Sequence, residues 1–176
     1  MRFSTLTLPA VIGICALAAG CSGQSSGPTA SPSAAWDGPV QGMRVTFSNT
    51  STQGMGLSAY ALGQGTPNST PLAVGATAAV ESPGCTGTCT TGVNGSYTLQ
   101  SSTAPVSVEL RNQGGATPYV VWCYKSACTN QTTFSPGDTR SFPVQEPVKG
   151  TQIATLTIRR ANDIGGVLIW SVSLGS

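Results

Sequence analysis

The chain has 176 residues, eight of them Lys or Arg and six Asp or Glu, for a formal net charge of +2. That length accommodates one domain of ordinary size. So sparse and balanced a charge excludes the clustered cationic surface that nucleic-acid phosphates require. There is no histidine, which removes Ser-His-Asp and Cys-His catalysis, imidazole proton shuttling and every histidine-containing metal site.

Residues 1–20 read MRFSTLTLPAVIGICALAAG, with one positive charge at Arg2, an apolar stretch and small residues before Cys21. These are the proportions of an export leader. No later stretch reaches the roughly 18 consecutive apolar residues of a membrane-spanning helix. Leu17-Ala18-Ala19-Gly20-Cys21 resembles a bacterial lipobox, which implies removal of residues 1–20 and acylation of Cys21 by diacylglycerol, with fatty acyl groups such as palmitate. Ala16-Leu17-Ala18 also fits ordinary secretory cleavage. Cutting there strands one unpaired thiol among five cysteines, whereas acylating Cys21 leaves four to pair. The expected location is the extracytoplasmic side of the cell membrane, held by lipid. Residues 21–37 are then expected to form a tether in which Gly and Ser give flexibility while Pro28 and Pro32 extend the chain, with Trp36 at its end expected to dock on the domain that follows at 38–176, contact with the membrane interface being the alternative.

Within that domain, alternation of apolar and polar side chains predicts strands over 44–48, 57–62 and 72–80, then 96–100, 106–111 and 119–124, and finally 140–144, 154–159 and 168–174. The clearest has Val106, Val108 and Leu110 on one face and Ser107, Glu109 and Arg111 on the other. Ala154, Leu156 and Ile158 oppose Thr155, Thr157 and Arg159 in the same way, and Leu168, Trp170, Val172 and Leu174 oppose Ile169, Ser171 and Ser173. Turn residues cluster at Val93-Asn94-Gly95, at Ser135-Pro136-Gly137-Asp138 and from Asn162 to Gly166. No interval carries a helix of 3.6-residue period. The expectation is an all-β, antiparallel two-sheet sandwich, with a small closed β-barrel as the alternative.

Four cysteines fall in the domain as Cys85-x3-Cys89 and Cys123-x4-Cys128. In an oxidising compartment two local disulfides are expected, the second closing a hairpin, although three connectivities are open to four cysteines. Neither spacing is a usual zinc pattern, and neither is a CxxC redox pair. No metal or cofactor is therefore expected. On the 119–124 strand, if Tyr119, Val121 and Cys123 face the core, Trp122 and Tyr124 face outward beside Lys125. Such exposed rings next to polar groups suit stacking on a sugar or anchoring a protein partner. Of Arg159 and Arg160 only one is expected to point outward, where an anion or headgroup is its conceivable contact. The Asn-x-Ser/Thr triplets at Asn49, Asn68, Asn94 and Asn130 are weak signals in a chain this rich in Ser and Thr.

The function expected from these features is that of a membrane-anchored, non-catalytic binding or structural module of the cell envelope, with a glycan or a protein as partner. The alternative is an envelope glycan hydrolase, for which two carboxylates among Asp37, Glu81, Glu109, Asp138, Glu146 and Asp163 must converge in one groove. No two of these are neighbours in sequence, so no catalytic residue is assigned.

Overall fold

The computed structural model describes residues 40–84, 90–113 and 117–176. The leader, Cys21, the tether with Trp36, and the Cys85–Cys89 pair lie outside the described residues. The described strands are β1 (Gly42–Asn49), β2 (Met55–Ala61), β3 (Thr70–Leu72), β4 (Thr77–Pro83), β5 (Thr90–Leu99), β6 (Val106–Gln113), β7 (Tyr119–Tyr124), β8 (Ala127–Cys128), β9 (Thr132–Thr133), β10 (Thr139–Gln145), β11 (Gln152–Arg160) and β12 (Val167–Gly175). They form one sheet in the order β10-β11-β12-β1-β4 and a second in the order β3-β2-β5-β6-β7-β8, with β9 also paired to β7. The expected two-sheet sandwich is what forms, and the described strands close no barrel. One pairing, β1 with β12, is parallel; the others are antiparallel. It places β12 inside its sheet, bonded on both sides.

Period-two burial runs through every long strand. Leu168, Trp170, Val172 and Leu174 on β12 are buried, as are Leu156 and Ile158 on β11 and Met43, Val45 and Phe47 on β1. The second sheet answers with Leu57, Val93, Tyr97, Val106, Val108 and Leu110. Each inner face is apolar because two sheets stacked about 10 Å apart exclude water between them.

Three local expectations differ from the structure. The stretch 72–80 is not one strand. Residue 72 ends β3 in the second sheet, and the chain then crosses to β4 in the first through a turn at Gly75, whose φ of 72° suits a residue without a side chain. Val93-Asn94-Gly95 is not a turn but lies inside β5. Gly95 is there for space: a Cβ at this position would sit 2.2 Å from the Phe47 ring of the opposite sheet. Beside it, the buried Tyr97 hydroxyl accepts from the Ser48 amide at 3.1 Å and donates to the Val172 carbonyl at 2.8 Å, and burial raises its pKa. The third difference, in β7, concerns the candidate site.

Two of the buried polar side chains bear on the Asn-x-Ser/Thr and Arg159-Arg160 expectations. Asn49 donates through Nδ2 to the carbonyls of Gln53 and Leu72 and accepts through Oδ1 from the Ser51 amide and hydroxyl. Its side chain is thus engaged in the β1–β2 connection, which is incompatible with carrying a glycan. Arg159 is exposed, whereas Arg160 is buried and donates to the Phe134 carbonyl and to Asp163 Oδ2, both at 2.7 Å. One arginine of the pair does point outward; the other braces the crossing from β9 to β10. The turns at 135–138 and 162–166 form as expected. Ser135 accepts from the Asp138 amide at 3.0 Å, and Gly165 and Gly166 both take positive φ in a two-residue hairpin.

Gly95→Ala should therefore destabilise the fold by about 1–3 kcal/mol through overpacking. Adding Phe47→Leu should recover part of that loss. Urea unfolding of the two single variants and the double variant checks this, and a Gly95→Ala protein of unchanged midpoint would show that the ring does not occupy the gap.

Candidate functional site

Where β7 faces depends on β6. Val106 pairs with Tyr124, Val108 with Trp122 and Leu110 with Val120, and directly paired residues share a face of the sheet. Since Val106, Val108 and Leu110 face the core, Val120, Trp122 and Tyr124 do too. This reverses the expected orientation: Tyr124 is 2% exposed and Trp122 half-buried, while Tyr119, Val121 and Cys123 occupy the outer face. Alternation did not discriminate because both sets are apolar or aromatic.

The inward turn does not remove these rings from solvent altogether, because β7 lies near the margin of its sheet and β10 is the edge of the other. Between them is an open cleft of about 290 Å³, with Trp122, Tyr124 and Thr129 on one wall and Pro143, Gln145, Glu146 and Pro147 on the other. Trp122 also packs on Phe142 of β10, with ring centroids 5.8 Å apart. The Trp122 amide donates to Thr129 Oγ1 at 3.2 Å, but its indole N–H has no acceptor among the described residues. Val148, 94% exposed, projects from the adjoining β10–β11 connection.

The polar rim is a chain of bonds. Tyr124 Oη, which lies 3.0 Å from Ser102 Oγ, donates to Glu146 Oε1 at 2.6 Å, and Lys125 Nζ donates to Glu146 Oε2 at 2.5 Å. The Lys125 ammonium, then the Tyr124 hydroxyl, hold the Glu146 carboxyl below the ordinary glutamate pKa, and Glu146 in turn raises that of Lys125. Lys125 has φ 54°, in the left-handed region that side chains rarely adopt. It is the first residue of the two-residue turn between β7 and β8, and the Cys123–Cys128 disulfide closes that hairpin as expected. Trp122, Tyr124 and Lys125 are thus brought together, and Glu146 joins them. Nothing in the spacing of Glu146 pointed there, because β10 lies in the other sheet.

Each described carboxylate bonds to a cation: Glu81 to Arg44, Glu109 to Arg111, Asp138 to Arg140, Glu146 to Lys125 and Asp163 to Arg160. Among the described residues, Glu146 is the one carboxylate lining the cleft, and Glu109 the one lining a second hollow on the outer face of β5–β7. No cluster of three or more metal-ligating side chains occurs among the described residues. Two larger, shallower depressions, beside β3 and beside Gly175, have no ionisable side chain in their lining.

A depressed carboxylate pKa favours the folded state above the unfolded value, and that contribution is lost as pH falls through the folded value. Glu146 should titrate below an ordinary glutamate in carbon-detected NMR, and Lys125→Met should raise its midpoint. An unchanged midpoint in that variant would show the ion pair absent in solution. No protein-family model, curated protein or solved structure matches this chain.

Proposed function

We propose that the protein is a bacterial lipoprotein, anchored through Cys21 on the extracytoplasmic side of the cell membrane, whose β-sandwich is a non-catalytic binding module with its contact site in the cleft around Trp122. The observation that carries this reading is the apolar leader ending in Leu17-Ala18-Ala19-Gly20-Cys21. A single acyl chain holds a protein only reversibly, at about 0.8 kcal/mol per buried methylene, while two chains hold it stably. The Cys123–Cys128 disulfide supports the same side of the membrane, since such bonds persist in oxidising compartments.

The cleft supports a binding role through the apolar surface it leaves open. The half-buried Trp122 lines it, and the neighbouring Val148 is apolar surface that water solvates poorly. Its lining of Trp122, Pro143 and Pro147 favours a protein side chain over a sugar.

Intact-mass analysis of the mature protein should show residues 1–20 removed and Cys21 carrying acyl groups. Cys21→Ala should block processing or release the protein from the membrane fraction. A free thiol at Cys21 with the leader retained, or unchanged processing and membrane retention of the variant, would refute the assignment.

A further inference from the structure

We propose that the outer face of the second sheet carries a separate trough that binds a short neutral carbohydrate. Its shape follows from register. Tyr60, Asn94, Glu109 and Val121 stand side by side across β2, β5, β6 and β7. The next row, one step of two residues away, is Ser58, Ser96, Ser107 and Cys123. A row of long side chains beside a row of short ones leaves a hollow of about 250 Å³ with a serine floor. Four strands at the usual spacing make it roughly 14 Å long, enough for a short oligosaccharide.

The lining selects the occupant. Glu109 lines the hollow and is paired with Arg111 at 2.6 Å, so the trough offers carboxylate oxygens whose charge is balanced by a guanidinium outside its lining, with no net charge to attract an ion. Asn94 Nδ2 donates to Tyr60 Oη at 3.3 Å, while Asn94 Oδ1 is buried out of reach of an occupant. The Ser107 hydroxyl reaches the Cys123 carbonyl only at 3.5 Å, the outer limit of a hydrogen bond. These are groups that donate to and accept from hydroxyls, with the Tyr60 ring at one end for a sugar face to stack on. An added polypeptide strand finds no free backbone here, because the surface is a sheet face whose amides already bond to neighbouring strands. The site shares no lining residue with the Trp122 cleft.

The test titrates the full-length protein, in a sugar-free detergent, with maltotetraose, cellotetraose and tetra-N-acetylchitotetraose by calorimetry. At least one should bind saturably. Ser96→Leu and Ser107→Leu, which fill the floor from the solvent side, should weaken that binding roughly tenfold or more, with the melting temperature preserved. Should either leucine variant fail to fold, Glu109→Gln keeps the shape and should weaken binding on its own. Trp122→Ala should leave it unchanged. No saturable binding by any of the three sugars, or binding that survives the filled floor and Glu109→Gln, would overturn the trough. Binding lost only in Trp122→Ala would overturn it as well, while leaving the binding-module reading intact.

Discussion

Near the middle of the sandwich the relation between the two sheets is fixed by a buried hydroxyl. Tyr97 Oη, on the second sheet, bonds to the backbone of β1 and of β12 in the first, and the edge of the Phe47 ring packs against it with centroids 5.9 Å apart. Apolar burial alone is non-directional and lets two flat faces slide. A buried donor and acceptor do not, because sliding leaves each unpaired at a cost of about 1–3 kcal/mol. Phe47 seated over Gly95 acts as a second stop, this one steric. Once the sheets are indexed, every inner residue of β6 is assigned, and the ladder from β6 to β7 then turns Trp122 and Tyr124 inward.

Both candidate sites descend from that indexing. The cleft exists because the margins of two different sheets, β7 and β10, meet there, with Trp122 of one packed on Phe142 of the other. The Glu146 carboxylate spans the gap to Tyr124 and Lys125 and so ties the two margins at the rim. Two devices hold the turn that places Lys125 in a left-handed backbone: the disulfide across its base and the ion pair at its tip. The trough, by contrast, is a property of one sheet, made by a row of serines beside a row of larger side chains. Hydrolysis by two carboxylates needs both in one groove; Glu109 lines one hollow and Glu146 the other.

Composition and alternation determined a good deal. The absence of histidine, the all-β class, the strands at 106–111, 154–159 and 168–174 with the correct residues facing inward, the turns at 135–138 and 162–166, and the local pairing of Cys123 with Cys128 were all legible, because each depends on neighbours within a few residues. The leader and the acylated Cys21 that we propose rest on a local pattern of the same kind, in residues outside those described.

The tertiary structure decided what alternation left ambiguous. Tyr119–Tyr124 is apolar on both faces, so only pairing with β6 orients it. Gly95 resembles a turn residue until Phe47 from the other sheet occupies its missing side chain. Residues 72–80 form two strands because their halves belong to different sheets. Arg160 is buried where the Phe134 carbonyl, 26 residues away, accepts its bond, and Glu146 meets Lys125 because β10 folds against β7. Each outcome turns on a partner distant in the chain, and a hydrophobic period of two residues carries no information about which distant strand will be its neighbour.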